Sequence, residues 1–351
     1  MIVYVAMMPI PAISEAPRSG LASRGAEPWK RALAEAVRDA DELVDLLRLP
    51  EELRAGARRA ARLFPLVVPR SFIARMRSGD PADPLLRQVL PLDAEEIEAE
   101  GFVDDPVGDL AASSAPGLIH KYEGRVLLIA AGTCAVNCRY CFRRGFPYGD
   151  APRGPAAWEP AMRRIEEDPS IREAILSGGD PLVLTDRSIA ALAERLASIP
   201  HLEMLRVHTR LPVVIPERVT DGLIAALTGT RLVASIIIHA NHPAELEGDC
   251  PTALRRLSGA GIPIRNQAVL LRGVNDDAET LARLSLRLVE LGVRPYYLHQ
   301  LDRVRGAAHF EVPEARGLEI VEAMRRRLPA EAVPRYMKEI PGAPGKVPVG
   351  A

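Results

Sequence analysis

From Arg125 onward the sequence alternates, six times over, between a short apolar run and a stretch of helical character. The runs are RVLLIA (125–130), EAILS (173–177), MLRVH (204–208), LVASIIIH (232–239), IRNQAVLL (264–271) and PYYLH (295–299). Each reads as a short strand. The stretches that follow read as helices around 157–167, 186–197, 217–227, 251–258, 277–291 and 314–328. In the last of these Leu318, Val321, Met324 and Leu328 share a face. Strand–helix alternation implies a parallel sheet with its helices outside. Six units are too few to close an eight-stranded barrel. The expected fold class is therefore α/β, an open, partial (β/α)6 TIM-type barrel over residues 118–330.

Sites on such sheets gather at the C-terminal ends of the strands, and the polar motifs fall there. Ser177-Gly178-Gly179-Asp180 follows the second run, His208-Thr209-Arg210 the third, and His239-Ala240-Asn241-His242 the fourth. His299 and Asp302 follow the sixth. Singly, a Gly-Gly pair is ordinarily a turn, and a histidine in a strand is ordinarily a satisfied core residue. Motifs at the same end of successive strands are hard to explain as turns. After the first run comes GTCAVNCRYCFRR (132–144), which holds Cys134, Cys138 and Cys141, three of the chain's four cysteines. Thiolates this close converge on one small object. Three of them can anchor a [4Fe–4S] cube with one iron left open, or part of a zinc site completed by Cys250 or a histidine. A disulfide is disfavoured without a secretory context.

The rest of the chain bounds the problem. Its 351 residues, 48% of them hydrophobic, suffice for a sizeable core, and the net charge of −1 gives no electrostatic reason to expect nucleic acid or an anionic membrane as partner. No apolar run approaches the roughly 20 residues of a membrane span. Clustered cysteines and no signal-peptide pattern fit a reducing cytoplasm. Residues 1–28 read as a flexible leader. Residues 29–117 read as helical, with one apolar spacing from Trp29 to Leu47, a second helix over 51–63 and a short third over 71–77. That region reads as scaffold, and Cys250 as incidental, in a loop.

The string CAVNCRYCFRR resembles the radical S-adenosylmethionine (SAM) enzymes, and within them the lysine 2,3-aminomutase branch, in particular the aminomutases that serve elongation factor P. The resemblance runs from about Trp29 to Val349. It implies the radical SAM fold and three cofactors: a [4Fe–4S] cluster on Cys134, Cys138 and Cys141, SAM, and pyridoxal 5′-phosphate. It implies SAM contacts from Ser177, Gly178, Gly179 and Asp180, and from His239 and Gln267. For Gln267 the plain alternative is a strand residue satisfied by a neighbour.

A lysine near the end of a chain is ordinarily a solvated tail residue. Lys346, in the C-terminal segment 331–351, matches the family's Gly-Lys-x-Pro-type turn, which implies that it is the catalytic lysine tied to pyridoxal phosphate. Lys121 and Arg125 match the basic positions on the phosphate side. Arg143 matches the arginine that forks onto the substrate carboxylate. Asp302 and Glu339 match the acidic pair that holds the ε-ammonium of lysine. Two converging carboxylates repel unless a cation sits between them, which suits a basic substrate.

The implied activity is an isomerase making (R)-β-lysine from L-lysine. Its implied partners are an electron donor protein and, downstream, the elongation factor P ligase and elongation factor P. Glu339, QLDRVRGAAHF (300–310) and CFRRGFPYGD (141–150) lean toward that branch. Two other readings stand: a free-standing lysine 2,3-aminomutase making β-lysine as a metabolite, and a non-catalytic zinc or redox module. The further C-terminal zinc region of the free-standing enzymes is not expected, and their oligomer geometry does not carry over.

Overall fold

The computed structural model describes residues 27–350 apart from Ala151 and Arg153, so the expected leader lies almost wholly outside the described residues. The described chain begins with five short helices: α1 (Pro28–Ala34), α2 (Ala40–Leu46), α3 (Leu53–Leu63), α4 (Arg70–Ile73) and α5 (Pro84–Arg87). The apolar spacing from Trp29 to Leu47 is thus interrupted. Asp39 ends the continuity because its carboxylate accepts from the backbone N–H groups of Asp41 and Glu42 and opens a new helix there. The freed segment pairs Val37 with Val68.

Ten strands follow in one sheet: β1 (Ser113–Ala115), β2 (Leu118–Tyr122), β3 (Arg125–Ala131), β4 (Glu173–Gly178), β5 (Met204–Thr209), β6 (Val233–Ile238), β7 (Ile264–Val269), β8 (Val293–His299), β9 (Arg335–Lys338) and β10 (Val347–Pro348). Their spatial order is their chain order. From β3 to β9 every neighbouring pair is parallel. Crossovers between parallel strands are right-handed, so an order that never reverses puts every connecting helix on one face. The sheet curls about the other face. Its outermost strands, β1 and β10, each pair on one side only, so the barrel stays open.

Six β/α units were expected, and the structure has them. The crossover helices are α6 (Pro155–Glu166), α7 (Asp186–Ala197), α9 (Asp221–Thr228), α10 (Cys250–Gly259), α11 (Ala278–Glu290) and α12 (Glu314–Arg325), with a one-turn α8 (Leu211–Val214) before α9. Beyond the expectation are the antiparallel arm β1–β2 and the closing pair β9–β10. Cys250 is a correction: it is not in a loop but opens α10, fully buried in the core.

The core lies between sheet and helices. Leu128, Leu176, Val207 and Ile236 are essentially solvent-free and meet helix faces such as Ile189, Leu192, Ala193 and Leu196 of α7. Each such side chain contributes about 1.5–3 kcal/mol by leaving water.

The helical region does more than cover the barrel. Glu95, in a 3-10 turn at Asp93–Glu96, carries a carboxylate with no solvent exposure. It accepts from Arg139 Nε at 2.7 Å and from Arg144 Nη2 at 2.7 Å, both in the cysteine loop. Arg139 Nη1 also donates to the Phe64 carbonyl at 2.7 Å. One buried anion therefore ties the loop to the helical region. Replacing Glu95 with Ala leaves two buried guanidiniums uncompensated. The expected loss is about 3–5 kcal/mol, read as a lowered urea midpoint at unchanged slope; a loss below about 1 kcal/mol contradicts the clamp.

Candidate functional site

Strand β3 delivers the chain into the cysteine loop, whose turns are tight. Cys141 N–H donates to the Cys138 carbonyl and Arg144 N–H to the Cys141 carbonyl, each at 3.0 Å. The loop also rests on the helical region through Asn137 N–H to the Val67 carbonyl, 3.0 Å, and Arg139 N–H to the Gln88 carbonyl, 2.9 Å.

The end of β4 lies flat against this loop. Gly179 N–H donates to the Ala131 carbonyl and Asp180 N–H to the Thr133 carbonyl, both at 2.8 Å. A Cβ on Gly179 would stand 2.2 Å from the Thr133 carbonyl oxygen, and one on Gly178 2.5 Å from that of Ala131. Gly178 also sits at φ +115°, where a side chain strains the backbone. The two glycines are thus required by the backbone of the cysteine loop itself. Asp180 is committed too: its carboxylate accepts from Thr209 Oγ1 (2.7 Å), Arg210 N–H (2.7 Å) and Leu182 N–H (3.0 Å). These bonds hold the strand end.

Burial and then the neighbouring thiols push Cys134 well above the ordinary thiol range, and the same causes push Cys141 up to about 11. Mutual repulsion of this kind is relieved when a metal centre takes the thiolates. Among the described residues no three His, Cys, Asp or Glu side chains converge tightly enough for a single metal ion. Three clustered cysteine thiolates are a soft donor set of the kind that holds an iron–sulfur cube.

From the loop a chain of alternating charges leads to the C-terminal segment. Arg143 Nε donates to Asp109 Oδ2 at 2.6 Å, and its Nη1 to Ser177 Oγ at 3.1 Å. Asp109 Oδ1 takes Lys121 Nζ at 2.5 Å. Lys121 Nζ reaches Glu339 Oε1 at 3.0 Å and the Val107 carbonyl at 2.7 Å. Glu339 Oε2 accepts from Lys346 Nζ at 2.5 Å. Burial opposes the charge on Glu339, but Lys346 and Lys121 outweigh it and hold the carboxyl down at about 2. Burial pushes Asp302 up to about 7, with Lys346 drawing it down and Glu339 pushing it further up.

The structure thus brings together Arg143, Lys121, Glu339, Asp302 and Lys346. Two of these residues carry contacts the sequence did not suggest. The Lys121 ammonium is shared among Asp109, Glu339 and a carbonyl. And Glu339 already holds two of the chain's own lysines, so its pairing with Asp302 does not by itself demand a basic ligand. Arg125 lies with its guanidinium 4.7 Å from the Tyr122 ring centroid, beside Gly345, and has no carboxylate in ion-pair range among the described residues. Asp109 was missed in the sequence because it sits in a non-periodic acidic stretch.

On the inner face, Gln267 Nε2 lies 3.0 Å from His239 Nε2, and Gln267 Oε1 lies 3.4 Å from His299 Nε2. Gln267 is therefore satisfied by its neighbours, as the plain alternative had it. His208 packs edge-on to His239, with ring centroids 6.2 Å apart, and its Nε2 is buried without a partner among the described residues. Burial, chiefly, keeps all three imidazoles neutral, pushing His239 down to about 3 and the other two well below the ordinary range. A separate cavity of about 510 Å³ opens at the opposite, N-terminal ends of the strands, among Arg206, Arg265, Arg294 and Arg335.

Comparison with known proteins decides the family. The L-lysine 2,3-aminomutase of Escherichia coli (strain K12) is 45% identical over 325 residues, covering 92% of this chain and 94% of that protein. That of Haemophilus influenzae is 43% identical over 318 residues, covering 91% and 94%. The chain belongs to the lysine 2,3-aminomutase family. It is an isomerase. The L-lysine 2,3-aminomutase of Clostridium subterminale is 34% identical over 322 residues, covering 92% of this chain and 77% of that protein. No family model matches. A crystal structure of Streptococcus suis SuiB bound to S-adenosylmethionine overlaps 63% of this chain and 48% of its own, with 12% identity and a TM-score of 0.45.

In this aminomutase, Gly179→Ala drives a methyl into the Thr133 backbone. The expected result is a loss of roughly 2 kcal/mol or more, with fewer irons retained after reconstitution. Wild-type stability and iron content in that variant contradict the close packing of β4 on the cysteine loop.

Proposed function

We propose that the chain moves the α-amino group of L-lysine to C3, giving (R)-β-lysine, with a [4Fe–4S] cluster, SAM and pyridoxal phosphate as cofactors. The observation that carries this reading is the unbroken run of ionic contacts from Arg143, two residues past Cys141, through Asp109, Lys121 and Glu339 to Lys346. It supports the reading that the sulfur anchors and the terminal lysine serve one chamber.

When bound, the cluster and SAM supply the one-electron chemistry that removes hydrogen from an unactivated carbon, and pyridoxal phosphate supplies the carrier for the migrating nitrogen. The chain's residues do the rest. Cys134, Cys138 and Cys141 hold the cluster and leave one iron open to SAM. The strand end at Ser177–Gly179 faces the cysteine loop, with His239 and Gln267 alongside on the inner wall, all neutral and suited to a zwitterion's polar groups. Lys346 carries pyridoxal phosphate, and Arg125 is the uncommitted cation for its phosphate.

With Lys346 holding pyridoxal phosphate, Glu339 would keep Lys121 as its ammonium partner. The pair Asp302 and Glu339 would then have room for the ε-ammonium of lysine, and Arg143 would take the carboxylate with the planar fork that suits it.

The downstream use is β-lysylation of elongation factor P. Supporting this are Glu339 in the acidic pair and the strings at 141–150 and 300–310. The alternative is release as a free metabolite; a ligase that consumes the product with elongation factor P in a coupled assay separates the two.

Anaerobic incubation with SAM, pyridoxal phosphate, a reductant and L-lysine should yield β-lysine by mass and chromatography. Product from another amino acid but none from lysine overturns the substrate. Lys346→Ala should lose the visible absorbance band of lysine-bound pyridoxal phosphate; a variant that keeps the band removes Lys346 from the role.

Asp302 gives a pH test. Its carboxyl is raised, so the protonated form persists up to about pH 7. A substrate ammonium binds the ionised form, and binding must then expel a proton. Lysine affinity should fall by up to tenfold per unit as pH drops below about 7. Asp302→Asn should weaken lysine binding and abolish the fall, and a wild-type profile unchanged between pH 8 and pH 5.5 rules the contact out.

A further inference from the structure

The cluster reading above leaves one buried cation unused. Arg210 follows β5 and is 5% exposed. Its Nη1 donates to Cys138 Sγ at 2.7 Å. Its Nη2 donates to Gln88 Oε1 and to Glu245 Oε2, each at 2.7 Å. Its Nε is buried and has no acceptor among the described residues. Glu245 is itself fully buried and fixed by Asn241 N–H (2.8 Å), His242 N–H (3.1 Å) and Gln88 Nε2 (3.0 Å). The guanidinium also lies over Phe72, 5.3 Å from its ring centroid. Nη1 and Nη2 are therefore both held, Nη1 by the sulfur itself, and Nε is left over.

We propose that Arg210 is a positioning residue that sets the reduction potential of the cluster through Cys138, with Glu245 as the counter-charge that limits its effect. A hydrogen bond from a fixed cation to a coordinating sulfur stabilises the more negative, reduced state of the centre. The orphan Nε–H is a second donor for which the protein supplies no acceptor, and an inorganic sulfide of a cube is one. Glu245, on the far side of the same guanidinium, partly cancels its charge. The two residues therefore push the potential in opposite directions, and that opposition is what a purely structural role lacks.

The inference rests on the proposed cluster, and the experiment separates the two. Iron and sulfide analysis of the reconstituted wild-type enzyme tests the cluster itself. Its midpoint potential is then measured without SAM, by titration followed by electron paramagnetic resonance, in the wild type and three variants. Arg210→Gln should shift the one-electron reduction equilibrium about tenfold against reduction, about 59 mV to the negative side. Glu245→Gln should shift it to the positive side. Arg210→Lys keeps the charge and should stay within a few-fold of wild type, which with Glu245→Gln still decides the matter if Arg210→Gln does not assemble. No cluster in the wild type defeats the proposed function. A full cluster whose potential moves in neither Arg210→Gln nor Glu245→Gln, or moves the same way in both, overturns this inference alone.

Discussion

Ionisable groups can sit together out of water only if their signs alternate, and this chamber is built on that rule. Arg143, Asp109, Lys121, Glu339 and Lys346 follow one another in strict alternation, each within 3.0 Å of the next. Removing Asp109 or Glu339 from this run leaves buried cations whose desolvation is less well compensated. The chain draws on the cysteine loop, the long connection before β1, strand β2 and the C-terminal segment. Four stretches far apart in sequence are thereby brought to a common position.

The same principle operates one layer out. Glu95 neutralises Arg139 and Arg144 of the cysteine loop, and Glu245 neutralises Arg210 beneath it. Both carboxylates have no exposed surface. Gln88, from the helical region, joins the second group by bonding to Arg210, Glu245 and Tyr140. The helices before the sheet supply the rear support of the cysteine loop. The crowding is visible in the glycines at 178 and 179, where one methyl would already collide with the loop's carbonyls.

Much of this was legible in the sequence. The β/α alternation was, because a strand's short apolar run and a helix's wider spacing differ in period. The cysteine spacing was, because few objects accept three thiolates so close together. What stayed hidden had physical reasons. The break between α1 and α2 lies at Asp39, a cap inside an apolar pattern that continues across it. Strands β9 and β10, of 4 and 2 residues, are too short to carry a period. Asp109 lies among other acids in an aperiodic connection, and only folding shows which of them turns inward. Lys346 reads as an ordinary tail residue unless the family pattern is seen. That it stands beside Glu339 follows from the antiparallel pairing of β10 with β9, which sets Val347 against Lys338.

That return has a mechanical side. Where β10 comes back toward β2 there is no ladder of backbone hydrogen bonds, because the outermost strands do not pair. The described gap is spanned by side chains: Lys121 to Glu339 at 3.0 Å, Gly108 against Pro341, and Arg125 beside Gly345. A wall laced in this way parts by rotating side chains, with every strand left intact. The cylinder has a hinge-free side door, latched by Lys121 on Glu339.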